Sequence, residues 1–255
     1  MNMVPDYEVR LRLDPGKVLG FNQEPAEDVK TAFDVSTITA LNVQFLDKNC
    51  KEIYTSGWSP RIRKMENKNN LELTYKRRYA IADDDIDAVL SIANQDGFRA
   101  GDTKFEAQVE WGYQTQTLSI SHQVDVDDSG NDGIGLPDTT ESRQIMTDRA
   151  PEKFDNWNYT GWGTSALHLS RIFGPVFAKR FTGKWNGLKL YLEVWPLLNS
   201  EGTETEHIVE ASFKTKDRER ASLERGNLIT SLSQPGRNWF LACDSLKTQL
   251  IMERY

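Results

Sequence analysis

The chain has little of what several function classes need. Its 255 residues include two cysteines, Cys50 and Cys243, and three histidines, His122, His168 and His207. That excludes a disulfide scaffold and a zinc site of ordinary Cys/His spacing, and it suits a reducing compartment. No 18-residue apolar run occurs, so no membrane-spanning helix is expected. The opening Met1-Asn2-Met3-Val4-Pro5-Asp6 reaches charge without an apolar stretch, which predicts no secretory leader and a cytoplasmic location. Basic residues are in deficit, with 31 Lys and Arg against 38 Asp and Glu, a net charge of -7. Such an envelope argues against nucleic acid and membrane surfaces as partners. Any anion site must be a local basic concentration inside an acidic shell. Walker A, dinucleotide and Gly-x-Ser-x-Gly patterns are missing. No linker and no fixed-period repeat divides the chain, so one domain over residues 1–255 is predicted.

What is present is alternation. Tyr7–Leu13, Ala40–Leu46, Ser59–Met65, Leu71–Arg78, Thr103–Tyr113 and Thr117–His122 read as strands, followed by Gly174–Phe181, Leu188–Pro196 and Ile208–Lys214. Helical spacing occurs in Asp83–Asn94, Asp217–Leu232 and Asp244–Met252, the last with Leu246, Leu250 and Ile251 facing in. Residues 217–255 are therefore expected to pack as C-terminal helices on the sheet. The run Asp125–Asp138, rich in Asp, Ser, Gly and Asn, predicts a mobile loop, and Trp157–Gly163 an irregular segment. The fold class is α+β, dominated by β.

The second faces of these strands are charged. Glu8, Arg10 and Arg12 share one face; Arg61 and Arg63 another; Glu72, Lys76 and Arg78 a third. Glu110, Glu193 and the pair Glu210 and Lys214 repeat the pattern. An ordinary half-exposed sheet would simply solvate such faces. Here the opposite faces are strongly apolar and aromatic. If they turn outward beneath helices, the charged faces converge on one cavity. Arginine then supplies bidentate donors for phosphate oxygens and lysine a point charge. Arg10, Arg12, Arg78 and Lys214 become substrate-facing positions. Carboxylates among these cations stay ionised and suit Mg2+ or Mn2+. The expected partner is a phosphorylated small molecule or a polyphosphate.

The order of these pieces carries a resemblance. Glu8-Val9-Arg10-Leu11-Arg12 resembles the opening E-x-E-x-K strand of the CYTH, or triphosphate tunnel metalloenzyme, superfamily. Arg61-Ile62-Arg63 is similar to its R-x-R strand, and Leu73-Thr74-Tyr75-Lys76 to its L-T-x-K strand. Glu110, Lys179-Arg180, Glu193 and Glu210-Ala211-Ser212 follow in the expected order. The resemblance implies an antiparallel eight-stranded tunnel with peripheral helices, and a divalent-metal-dependent phosphohydrolase acting on a triphosphate or polyphosphate. It makes Glu8, Glu193 and Glu210 metal ligands for Mg2+ or Mn2+, with Glu110 a further ligand or water-orienting group. Arg61, Arg63, Lys76 and Arg180 would grip phosphate, and Glu110, Lys76 and Arg180 would serve catalysis. Lys179 and Arg180 stay open as alternatives, because the strand phase there is ambiguous.

The sequence also departs from that pattern. Arg10 stands at the family's second glutamate, Arg12 at its lysine, and Ser212 where another acid is frequent. The loss of acids keeps a non-catalytic polyanion-binding module open. Trp195 continues the face of Lys189, Tyr191 and Glu193, which keeps open a lyase or cyclase acting on an organic (prenyl) diphosphate. Two acidic runs are set aside. Asp83-Asp84-Asp85-Ile86-Asp87 is read as the acidic first turn of a helix. Asp125–Gly130 opens like a calcium loop, but its twelfth position is Leu136.

Overall fold

Alternating side chains build ten strands in the computed structural model, which describes residues 1–128 and 133–255. They are β1 (Asp6–Leu13), β2 (Thr37–Asp47), β3 (Trp58–Met65), β4 (Asn70–Ile81) and β5 (Glu106–Trp111), then β6 (Gln116–Asp127), β7 (Arg171–Trp185), β8 (Leu188–Leu198), β9 (Thr205–Thr215) and the two-residue β10 (Phe240–Leu241). The first nine close a barrel in the order β1-β5-β6-β4-β3-β2-β7-β8-β9, and β9 returns to β1 from Tyr7↔Thr215 to Leu13↔Val209. β5 pairs only with Asp6–Val9 of β1, and β10 takes up Arg12 and Leu13 beyond it. The barrel thus has nine strands where the resemblance implies eight, and its β1–β5 joint is parallel. Each of the nine alternating segments overlaps one of these nine strands, most of which run further at one or both ends. Alternation shows which face a residue occupies but carries no strand direction, so the parallel joint is invisible to it.

The barrel is apolar outside and charged inside. Val9, Leu11, Leu73, Tyr75, Ile120, Leu192 and Phe213 share one buried cluster with Leu228 and Leu232 of the helix Arg218–Leu232 and with Phe154 and Leu167. Each such side chain, fully buried, contributes roughly 1.5–3 kcal/mol. That outward packing frees the other face of every strand to be polar. Gly183 allows one close approach: a Cβ there would lie 2.2 Å from the Phe33 carbonyl oxygen. The same carbonyl accepts the Lys184 amide at 2.6 Å.

A second apolar cluster lies inside the barrel at one end. Register sets Val43 beside Arg63 and Phe45 beside Arg61, on the inward face. These residues, with Phe173, Trp195 and Leu197, bury Leu250, Ile251 and Met252 of the helix Lys247–Arg254. The C-terminal helix therefore stops one end of the tunnel.

Predicted helices stand with adjusted ends. Asp85 caps Ile86–Gln95 and Asp217 caps Arg218–Leu232, each carboxylate accepting an amide at 2.9 Å. The last helix starts at Lys247 rather than Asp244. The Asp244 carboxylate instead accepts amides of Tyr113, Gln114 and Thr115, which keeps that segment extended over the β5–β6 turn. The loop expected at Asp125–Asp138 is shorter. Asp125–Asp127 finish β6, and Asp138 caps a helix at Thr139–Asp148; residues 129–132 of that expectation lie outside the described residues. Trp162, placed in an irregular segment, begins the helix Trp162–His168. Among the described residues no helix is long and apolar enough to cross a membrane.

Candidate phosphoanion site

Cross-strand register assembles the site. On the tunnel face Arg63 sits opposite Glu72 and Arg61 opposite Thr74. Arg180 faces Glu193, and Glu193 in turn faces Glu210. Arg61, Arg63, Thr74, Arg180, Glu193 and Glu210 help line a cavity of about 630 Å³.

Three carboxylate centres organise the cations. Glu110, buried, accepts Arg10 at 2.7 Å and Lys76 at 2.8 Å, with Arg78 Nε at 3.6 Å. Glu72 accepts Arg61 at 2.9 Å and Arg63 at 2.5 Å, and Arg61 also reaches Thr74 Oγ1 at 3.0 Å. Glu193 Oε1 takes both Nε and Nη2 of Arg180, at 2.8 and 2.7 Å. Its Oε2 takes Trp195 Nε1 at 3.0 Å and Lys247 Nζ at 2.5 Å. The same ammonium lies 2.6 Å from Glu210 Oε1.

The electrostatics show an excess of positive charge. In the inner part of the tunnel Arg10, Arg61, Arg63, Lys76, Arg78, Arg180 and Lys247 stand against Glu72, Glu110, Glu193 and Glu210, seven cations to four carboxylates, while at the mouth Asp6, Glu8 and Glu106 stand against Lys214. Burial alone would raise Glu110, but Arg10, Lys76 and Arg78 hold it well below the usual carboxylate range. Glu193 is held low in the same way, by Lys247 and then Arg180. Two cations move the other way. Burial pushes the Lys76 ammonium down to about 8, Glu110 opposing and Arg78 assisting. Burial, with Arg63 close by, pushes Arg61 down to about 10. Nε of Arg10, Arg61, Arg63 and Arg78 are all buried without a hydrogen-bond partner among the described residues. Buried unpaired donors are costly, and an anion entering the cavity offsets the charge that these side chains carry.

The side chains implied as metal ligands are not brought together. Glu193 and Glu210 are neighbours, but Glu8 pairs with Lys214, four positions along β1 from the Arg12↔Glu210 rung. At a rise of ~3.3 Å per residue that separates them by about 13 Å. Glu8 sits at the rim, accepting Gln108 at 2.6 Å. Both oxygens of Glu193 and one of Glu210 already accept donors. Among the described residues no three His, Cys, Asp or Glu side chains converge at metal-binding spacing. In this arrangement the acids do not fit a divalent ion, which needs several free oxygens.

Other expected positions fall inside and outside the cavity. Arg180 points inward and Lys179 outward, where it meets Glu24 at 2.6 Å, and this resolves the ambiguous phase. Arg12 is buried but turns to the segment before the last helix, reaching the Ser245 carbonyl at 2.9 Å and its hydroxyl at 3.0 Å. Lys214 is exposed at the mouth, 2.7 Å from Gln108 and 3.9 Å from Glu8. Sequence reasoning missed Lys247 altogether, together with Thr248, which accepts Arg78 at 3.3 Å. A signal existed: Lys247 precedes Leu250 and Ile251 by three and four residues, the spacing of the buried stripe.

No family model and no curated protein matches this chain. Solved structures do. HpAC1 from Hippeastrum, an adenylyl cyclase candidate with a dominant triphosphatase activity, aligns with a TM-score of 0.58 at 13% identity, covering 96% of this chain and 93% of its own. An adenylate cyclase candidate from Bacillus halodurans aligns at 0.56 and 10% identity, covering 98% of both chains. At such identities the likeness shows the fold. The protein shares the fold of these two structures, here an α+β, β-dominated closed barrel of nine strands with peripheral helices. Its lining is buried and charged, of a kind that suits a phosphoanion.

Proposed function

We propose that the tunnel binds the phosphate chain of a triphosphate or polyphosphate, gripped by Arg10, Arg61, Arg63, Lys76, Arg78 and Arg180. The observation that carries this is the convergence of these six cationic side chains, from four strands, on one cavity. Guanidinium groups from β1, β3, β4 and β7 approach from several sides, as a linear polyanion requires. Glu72, Glu110 and Glu193 hold these side chains in place, so little rotamer entropy is lost on binding. A thermal-shift titration tests the proposal. Inorganic tripolyphosphate should raise the melting temperature with occupancy. A flat response to tripolyphosphate, pyrophosphate and ATP would contradict it.

Hydrolysis with Mg2+ or Mn2+ is the second reading, favoured by the likeness to the Hippeastrum protein and its triphosphatase activity. Glu193 and Glu210 are the acids nearest one another for that role, and Lys247 occupies them in the present arrangement. Release of phosphate from tripolyphosphate with Mn2+, lost in Glu210→Gln, would establish it. The organic-diphosphate reading has less support. Tyr191 already carries Arg180 over its ring at 4.5 Å and Trp195 carries Lys247 at 4.9 Å, so these faces are engaged by side-chain cations.

A further inference from the structure

Glu193 and Glu210 stand directly opposite on β8 and β9, both buried. Like charges in that position repel, and more strongly away from water. The ammonium of Lys247 lies between them, 2.5 Å from one and 2.6 Å from the other, 4.9 Å above the Trp195 ring. It is held by a built element. Leu250, Ile251 and Met252 are buried in the barrel end, Arg254 donates to the Leu198 carbonyl at 2.8 Å, and the Tyr255 hydroxyl accepts the Leu198 amide at 3.2 Å. Ser245 and Thr248 on either side of Lys247 accept Arg12 and Arg78. A single positive charge bridging two facing carboxylates, fixed from a separate element, does the electrostatic work of a bound cation.

We infer that Lys247 is the resident cation of the Glu193–Glu210 pair, so that phosphate-chain binding needs no divalent metal, and removing its charge creates a divalent-cation site between the two glutamates. The metal-free clause rests on the proposed binding of a phosphate chain; the latent cation site does not. Two facing carboxylates with water completing the shell suffice for Mn2+ once the ammonium is gone. The reciprocal holds for the intact protein, in which a divalent ion must first displace the Lys247 ammonium.

Electron paramagnetic resonance of free Mn2+ tests the cation site on the wild type, Lys247→Met and Lys247→Arg. Lys247→Met should bind one Mn2+ at least about tenfold more tightly than the other two, a difference of about 1.4 kcal/mol. Equal Mn2+ affinity in wild type and Lys247→Met overturns the assignment. If Lys247→Met does not fold, the wild type and Lys247→Arg still decide, because tight Mn2+ binding by either contradicts a resident ammonium. Thermal shift with tripolyphosphate in EDTA and in Mn2+ tests the other clause. The wild-type shift should be equal in both buffers, and a shift lost in EDTA overturns metal-free binding. Were tripolyphosphate inert in every buffer, the phosphate-chain reading would fall while the Mn2+ comparison still judged Lys247.

Discussion

Lys76 and Glu110 show how single side chains set the behaviour of the tunnel. Lys76 has a buried ammonium with a pKa pushed down to about 8, beside one carboxylate and a neighbouring guanidinium. A phosphate chain next to it favours the protonated form. Its contribution to the proposed binding should therefore be full below that pH and fall as pH rises through it. Calorimetric titration of tripolyphosphate across this range should show wild-type affinity declining relative to Lys76→Met, the ligand's own ionisation being common to both. Parallel profiles would contradict the role. Glu110 is the buried counter-ion shared by Arg10 and Lys76. Glu110→Gln leaves these cations without their carboxylate, and breaking a buried pair in this way costs about 3–5 kcal/mol. Scanning calorimetry should find a lowered melting temperature that tripolyphosphate restores by more than it raises the wild type. The carboxylate also stabilises the fold above the ordinary Glu pKa of about 4.3, a contribution lost as pH falls toward its depressed folded value. The variant should lack that part of the acid transition.

At the level of elements, the strands were legible because each side chain answers to one of two environments. Val9 and Leu11 meet the helices while Arg10 between them meets the cavity, and period-two spacing displays that directly. Arg61, Arg63, Lys76, Arg78, Glu110, Glu193 and Glu210 were found by this route. Facts of register were not legible. That Glu193 faces Glu210 while Glu8 stands four positions away depends on strand pairing across the barrel, which no local pattern encodes. Lys247 was hidden for a related reason. It comes from a short helix after a long separation in sequence, and a lone lysine on such a helix ordinarily faces water. The closure of β7 against the loop before β2 gives a test at this scale. Gly183→Ala sets a methyl 2.2 Å from the Phe33 carbonyl, a backbone atom that also accepts Lys184. Overpacking of this kind costs roughly 1–3 kcal/mol. A chemical-denaturation midpoint equal to wild type would show that the loop yields freely.

The whole molecule sets a basic tunnel within an acidic envelope of net charge -7. That combination explains why composition argued against a general polyanion binder while the strand faces argued for an enclosed anion site. The outer carboxylates repel extended polyanions, and only a chain narrow enough to enter the barrel reaches the inward guanidinium groups. The C-terminal helix closes one end, so access is from the rim where Glu8, Gln108 and Lys214 meet. The most direct test is a calorimetric titration with inorganic tripolyphosphate in EDTA, comparing the wild type with Arg61→Ala. Charge-assisted hydrogen bonds contribute about 1.5–3 kcal/mol each. One binding site in the wild type and an affinity about ten- to a hundredfold weaker in Arg61→Ala are the predicted results; no binding by the wild type, or equal affinity in both, would contradict the phosphate-binding tunnel.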